Sequence, residues 1–357
     1  MISELKLNNF RCFETSTINL SPGINFFYGP NGSGKTSILE AIYMCSSGKS
    51  FKSSNIKSLI SFDQDFFSIN AYDSNKGYTL NLVKGRTSPI SIKINNTKST
   101  TSRLLKEFPA TAIHNNTFSF ANASPDFRRK ILDRSLFVSN PNFSETWFGF
   151  YRSLKQRNSS LKKGLIHNID VWNQKVSEEG IVLDINRINF FEDSLLELNS
   201  IFSKLKPSLI TEKLNKVNIE FFSGWDKDNE LYELLAQNQK KDLFSKTTNQ
   251  GPHKADIKIL IKGMDAKQIL SRGEQKILSI LWCCSQNEVL RKKYNIDATL
   301  IIDDIKSELD NETFEVFLNL LNFLDNQVIF SCIDDHFSSK INPNYKDFKK
   351  FHVEQLR

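Results

Sequence analysis

Apolar and polar residues alternate over positions 2–8 and again over 16–28, with β-branched and aromatic side chains at the apolar places, the period-two pattern of half-buried strands. Pro22-Gly23 marks a turn before Ile24-Asn-Phe-Phe-Tyr28. A glycine-rich loop follows and gives way to a helical stretch, Ser37-Ile-Leu-Glu-Ala-Ile-Tyr-Met44. Segments 66–72, 78–84 and 90–95 read as a β-meander that turns at 74–77 and 86–89. From about 125 to 245 the rhythm changes: Leu and Phe recur at three- and four-residue spacing among charges, which predicts amphipathic helices packed on one another. Asn140-Pro141, Gly164, Gly180 and Pro207 predict breaks between them. Alternation returns at 256–261, followed by a long helix from Ser271 to about Lys293 and a buried strand at 299–302. A further helix, a strand at 327–331 and a tail complete the chain. The pattern predicts an α/β head built from 1–123 and 248–357, interrupted by a helical lobe at 124–247.

Length agrees with that division, since 357 residues make two domains or one domain with a sizeable insertion. A hydrophobic share of 39% and a charged share of 24% exclude disordered and fibrous classes. No run of about 18 uncharged apolar residues occurs, so no membrane span is expected. The segment Met1-Ile-Ser-Glu-Leu-Lys-Leu7 reads as a strand, without the basic-then-apolar layout of a signal peptide. Five cysteines without a C-x-x-C pair read as reduced thiols of a cytoplasmic protein. The formal charge of +7 is unevenly placed. Residues 74–106 carry seven bases and no acid, and residues 126–165 carry nine bases against three acids. Such clusters suit a phosphate backbone, although a single one is also explained as a solvated helix face.

Candidate chemistry begins at Gly29-Pro30-Asn31-Gly32-Ser33-Gly34-Lys35-Thr36, which fits G-x-x-x-x-G-K-[ST] between an apolar strand and a helix. In that motif backbone N–H groups wrap the phosphates, the Lys reaches the β- and γ-phosphates, and the Thr hydroxyl is placed for Mg²⁺. The predicted ligands are therefore ATP and Mg²⁺. Leu300-Ile-Ile-Asp303-Asp304 is an apolar strand ending in two acids. Asp303 is assigned to the metal, and Asp304 to orienting the attacking water. Ser271 and Glu274 form an S-x-x-E capping box that by itself explains both residues. With Gly273, Ser271 also makes a second helix N-terminus suited to phosphate. Asp310 is a helix N-cap candidate before Asn311.

In this order the phosphate loop, L-S-x-G signature, carboxylate strand and following Asp resemble the ATP-binding-cassette superfamily. The resemblance implies an ABC-type ATPase head with a mixed β-sheet and an antiparallel β-subdomain. It also implies an ATP-dependent homodimer in which Ser271 and Gly273 act in trans on the nucleotide held by the other copy. Further strings narrow the likeness: Leu7-Asn-Asn-Phe-Arg11, Leu39-Glu-Ala-Ile42, Ser124-Pro-Asp-Phe-Arg-Arg129, Leu154-Lys-Gln-Arg-Asn158 and Gly251-Pro-His-Lys-Ala-Asp256. Across essentially its whole length the chain resembles the RecF family of bacterial recombination mediators. That implies sequence-independent DNA binding at gaps and single-strand/duplex junctions, weak DNA-stimulated ATP hydrolysis that lets go of DNA, and RecA loading with RecO and RecR in repair, replication and the SOS response. Against the family pattern, Asn115 and Asn116 stand where a Pro and an acid are usual, and Lys306 stands where a small or apolar residue is expected.

Other readings stay open at this point. A transporter-type nucleotide cassette is the alternative class, disfavoured by the 236 residues from Lys35 to Ser271 and by the basic clusters. Arg128, Arg129 and Lys130 are the first candidates for DNA phosphates; the two arginines equally fit ion pairs to Asp126 and Asp133. His253 fits either a place near the nucleotide or a plain turn, and His336 is a candidate switch residue at the γ-phosphate.

Overall fold

The computed structural model describes residues 1–114, 117–336, 338–341 and 347–357. Its strands are β1 (Glu4–Phe10), β2 (Phe13–Asn19), β3 (Ile24–Tyr28), β4 (Phe66–Asp73), β5 (Tyr78–Gly85), β6 (Ser91–Ile94), β7 (Thr97–Lys98), β8 (Ala110–Ile113), β9 (Val217–Phe222), β10 (Asp256–Ile261), β11 (Met264–Asp265), β12 (Thr299–Ile302), β13 (Val328–Cys332) and β14 (Phe348–His352). The chain packs into two compact units, one of residues 1–119, 197–211 and 271–357, the other of 120–196 and 212–270.

In the first unit a five-stranded sheet runs β14-β3-β13-β12-β8 with every pairing parallel. Its inner strands β12 and β13 are buried at every residue, as the near-continuous apolar runs of a covered parallel sheet require. A six-stranded antiparallel sheet, β2-β1-β4-β5-β6-β7, contains the expected meander as β4, β5 and β6. Alternation turns Leu5, Leu7, Ile69, Leu80 and Leu82 into one core, where Phe10 meets Phe67 edge-on at 5.1 Å between centroids. The helix Lys35–Ser47 supplies Ile38, Leu39 and Ile42 to the same core. The long helix Arg272–Tyr294 is capped at Ser271 and fully buried from Ile277 to Leu290.

Three strands of this unit were not expected: the two-residue β7 beside β6, β8 and β14. The β8 strand lies at one edge of the parallel sheet, and β14, within the presumed tail, pairs with β3 at the other.

The second unit carries the helices Pro125–Ser139 and Phe143–Lys163 and most of Ile169–Lys204. The breaks at Asn140-Pro141 and Gly164 are where the sequence puts them, whereas Gly180 lies inside the third helix. A Cβ there would stand 3.1 Å from Leu231 and 3.2 Å from Phe150, so the glycine makes room for packing and ends nothing. The predicted lobe also contains a strand: β9 pairs antiparallel with β10, and β10 with β11. That pairing draws residues 248–270 into the second unit, although the sequence groups them with the head.

Buried ion pairs hold this unit. The Arg187 guanidinium donates to both oxygens of Asp133 at 2.7 Å and to Pro252 O at 2.7 Å, and it is wholly shielded from solvent. Arg157, equally buried, donates to Asn173, Asp242, Thr248 and the Leu235 carbonyl. Removing one partner of such a pair strands the other charge. Asp133→Ala should lower the unfolding free energy by about 3–5 kcal/mol in urea denaturation followed by tryptophan fluorescence. A loss under about 1 kcal/mol, the worth of an exposed pair, would show that Asp133 does not hold the unit.

Candidate functional site

The phosphate loop leaves β3 after Tyr28, and the helix it feeds begins at Lys35. Gly34 sits at φ +108°, and a Cβ on it would lie 2.8 Å from Cys12 Sγ and 2.9 Å from the Phe13 ring. Only glycine fits both conditions. Gly29 N–H donates to Ile333 O at 3.2 Å, tying the start of the loop to the segment after β13. The Lys35 ammonium folds back onto the loop, donating to Gly29 O at 2.7 Å and Pro30 O at 3.0 Å. Burial lowers its pKa, opposed by the nearby carboxylates Asp304 and Asp303.

Both carboxylates stand at the C-terminal end of β12, on the same sheet edge as the loop because the strands are parallel. Thr36 Oγ1 donates to Asp303 Oδ1 at 3.1 Å, and Ser331 Oγ donates to the same oxygen at 2.9 Å. Ser331 also accepts from the Asp304 N–H at 2.8 Å, so one hydroxyl on β13 fixes both acids. Burial raises the Asp303 pKa, and the hydrogen bonds from Ser331 and Thr36 counter it only in part. Asp304 adopts a left-handed backbone, φ +48°, and its Oδ1 is buried without a hydrogen-bond partner. An acceptor left unsatisfied beside a buried ammonium is suited to receive a polar ligand or water.

These groups open onto a cavity of about 420 Å³ lined by Arg11, Cys12, Asn31, Lys35, Lys52 and Asp304, among others. Arg11 is held there by Glu40, which accepts two hydrogen bonds of 3.0 Å from its guanidinium. Sequence reading gave Arg11 no role and overlooked Lys52, Glu40 and Ser331. For Ser331 the one available signal was a hydroxyl interrupting the apolar run Val328-Ile-Phe.

Ser271 and Gly273 do not line this cavity. Ser271 is exposed and forms the full capping box: its Oγ accepts from Glu274 N–H at 3.2 Å, and Glu274 Oε2 accepts from Ser271 N–H at 2.7 Å. Gly273 is pressed against the loop after the carboxylates, where a Cβ would fall 2.4 Å from Asp310 Oδ2. Asp310 caps the helix Asn311–Leu321 as expected, accepting from Thr313 N–H at 2.9 Å. Lys306 lies over the Phe314 ring and donates to Asn311. Exposed His336 lines a separate hollow with Lys306 and Phe314. His253 belongs to the second unit, where its ring bonds Thr248 O at 2.8 Å and burial pushes its pKa down to about 4. Asn115 and Asn116 lie outside the described residues.

Of the three basic residues picked for DNA, Arg128 makes a two-pronged ion pair with Asp256 at 2.7 and 2.9 Å. Arg129 donates to Ala255 O and lies 3.6 Å from Asp126. Both guanidiniums thus work inside the second unit's own fold. Asp133, offered as an alternative partner, is taken by Arg187. Lys130 is 72% exposed and pairs with Asp126 at the surface.

Fold and site geometry together are those of a phosphate-loop ATPase head. Residues 1–354 match the family described as RecF/RecN/SMC N terminal domain. The chain belongs to the RecF family. A protein named DNA replication and repair protein RecF from Shewanella frigidimarina is 32% identical over 99% of this chain and 98% of its own length. The protein of the same name from Shewanella baltica is 33% identical over 100% of this chain and 98% of its own. Among solved structures, one described as the recombination mediator protein RecF-ATP in the RecFOR pathway superposes with a TM-score of 0.78 at 23% identity, covering 99% of this chain and 96% of that one. An Smc head bound to the C-winged helix domain of ScpA gives a TM-score of 0.58 at 16% identity, covering 94% and 90%. At these identities the structures establish the fold, the ATPase head expected from the motif order.

The raised pKa of Asp303 carries a stability consequence. Below the ordinary carboxylate value both folded and unfolded chains hold the proton, and there is no penalty. Above the raised folded-state value, the native protein bears the full cost of a buried charge. Asp303→Asn should therefore raise the melting temperature of the nucleotide-free protein near about pH 7 and lose that advantage as pH falls toward about 4. A variant that melts lower than wild type at neutral pH would overturn this reading.

Proposed function

We propose that this protein is an ATP-dependent DNA-binding protein of recombinational repair. It binds DNA at gaps and single-strand/duplex junctions, dimerises with ATP, and hydrolyses ATP weakly to dissociate. In this role it supports RecA loading with RecO and RecR during replication, repair and SOS induction. The observation that carries the reading is the cavity at the sheet edge, where Lys35, Thr36, Asp303 and Asp304 converge, in a chain matched to the family from end to end of the aligned region. The loop amides and Lys35 would receive the β- and γ-phosphates, and Thr36 with Asp303 would hold Mg²⁺. The ion would supply positive charge against that developing on the phosphate oxygens. Asp304, with its unpartnered oxygen, would orient the attacking water.

The exposure of Ser271, away from the Lys35 cavity, supports completion of each site by the signature of a second copy. For DNA we retain Lys130 as a phosphate contact, with Arg128 and Arg129 shaping the surface from beneath. Contacts to phosphates and not bases give little sequence preference and a steep loss of affinity with salt. No observation favours the transporter reading.

Size-exclusion chromatography with ATP, ADP or neither, with and without a gapped duplex, tests the switch. ATP should shift wild type to a dimer, and Lys35→Ala should stay monomeric. Ser271→Arg should block the dimer while still binding ATP as a monomer; loss of ATP binding in that monomer would refute action in trans. In single-turnover assays Asp304→Asn should hydrolyse ATP at least about 100-fold more slowly. Equal rates would make the nucleotide a structural clamp.

A further inference from the structure

The helix Ile169–Lys204 belongs to the second unit as far as Leu196, and one side of that stretch is uncovered. Counted from Val171 at alternating four- and three-residue steps, every position up to Leu196 is exposed. At about 100° per residue these positions fall within an arc of about 100°. The opposite side turns inward through Val176, Leu183 and the buried Arg187. Four of the exposed positions are apolar, Val171 at 57%, Val182 at 48%, Ile185 at 50% and Leu196 at 69%. Between them stand Lys175, Glu178, Asn189 and Glu192, and among the described residues none of the three charged side chains has an ion pair. The four-three spacing is that of a coiled-coil seam, a stripe that helices bury against one another. All of its positions lie on one helix, so they share a surface by helix geometry alone.

Read along the chain, the stripe is apolar, Lys, Glu, apolar, apolar, Asn, Glu, apolar. That order is complementary to its own reverse. Laid antiparallel on a second copy, with a two-fold axis between Val182 and Ile185, it sets Val182 against Ile185 and Val171 against Leu196. Lys175 then meets Glu192, and the Asn189 amide meets the Glu178 carboxylate. Every pair occurs twice, as a two-fold axis requires. A parallel alignment would instead set Lys175 on Lys175 and each glutamate on itself, and like charges brought together in this way oppose association.

We infer that this face is a second interface between copies of the chain, formed by antiparallel pairing of segment 171–196 with its counterpart. Charge complementarity selects the occupant, because the reversed stripe supplies an acid for Lys175, an amide for Glu178 and a base for Glu192. Polar side chains within such a seam lower its stability and fix its register, which makes the association weak and of one alignment. It uses neither Lys35 nor Ser271, so it needs no nucleotide and stands apart from the ATP-dependent dimer proposed above. A chain that pairs through one face with ATP and through another without it can assemble beyond a dimer.

Sedimentation velocity over a concentration series, at low salt and without nucleotide, tests the pairing. Wild type should pass from monomer to dimer as its concentration rises. Lys175→Glu and Glu192→Lys each set like charges opposite one another and should raise the dissociation constant at least about 10-fold. The double variant Lys175→Glu/Glu192→Lys restores the pair with its signs exchanged and should return to within about 3-fold of wild type. Recovery in the double variant separates lost pairing from lost folding. Ser271→Arg should leave this association intact. Wild type that stays monomeric throughout the series would overturn the inference. So would dimers that neither single exchange weakens, or a double variant that fails to recover. Loss of the association in Ser271→Arg would assign the contact to the nucleotide-dependent face and overturn it as well. Because these runs contain no ATP, their failure leaves the ATP-driven dimer to stand or fall on its own test.

Discussion

The cavity beside Lys35 depends on the register of three parallel strands. Within the sheet β13 lies between β3 and β12, with Cys332 level with Tyr28 and Phe330 level with Ile302. The next pair along is Ser331 and Asp303, and there the hydroxyl meets the carboxylate. Thr36 reaches the same carboxylate across 267 positions of sequence. Because side chains alternate faces along a strand, a slip of one residue would turn Ser331 away and leave both acids without the hydroxyl that donates to Asp303 and accepts from Asp304 N–H. The burial of β12 and β13 on both faces makes that slip costly, so core packing and site geometry are enforced by the same residues.

The loop and the carboxylates were legible in the sequence because each is a local string whose chemistry follows from its own spacing. Ser271 and Asp310 were legible as caps for the same reason, and the structure shows them capping. Ser331 was not, since a lone serine in an apolar strand becomes meaningful only once register is known. Lys52 and Arg11 reach the cavity from a loop and a hairpin, and no periodicity reports the direction in which such residues point. The edge strands were hidden for another reason. Lys349 and Lys350 in the middle of β14 read as a solvated tail, although charge on an outer strand is how a sheet protects an open edge. With four residues, β8 is too short to show a period.

In the second unit, helical rhythm was right for three long helices and for the short helices Leu231–Gln237 and Gln239–Ser245, and misleading over β9. Alternation in Val217-Asn-Ile-Glu-Phe is a clear strand signal, masked by the amphipathic segments around it. Gly180 looked like a break because glycine commonly is one; the neighbouring Leu231 and Phe150 explain it, and neither is close in sequence. The partner of Arg128 lies 128 positions away, whereas the nearer acids had drawn the eye. The residues that resisted sequence reading are those whose reason for being lies in another segment of chain.

The contact between Gly273 and Asp310 has a mechanical meaning. From Asp304 the chain runs through a short helix, Ile305–Glu308, to Asp310 without a glycine. Lys276, one turn inside the signature helix, grips the Glu308 carbonyl at 2.7 Å and its carboxylate at 2.6 Å. The capped end of one helix and the acid at the end of β12 are thus joined through a short helix that Lys276 clamps at Glu308. Ser271 at the surface and the backbone of Asp304 beside the cavity are thereby linked through seven residues of chain, Asp304 to Asp310.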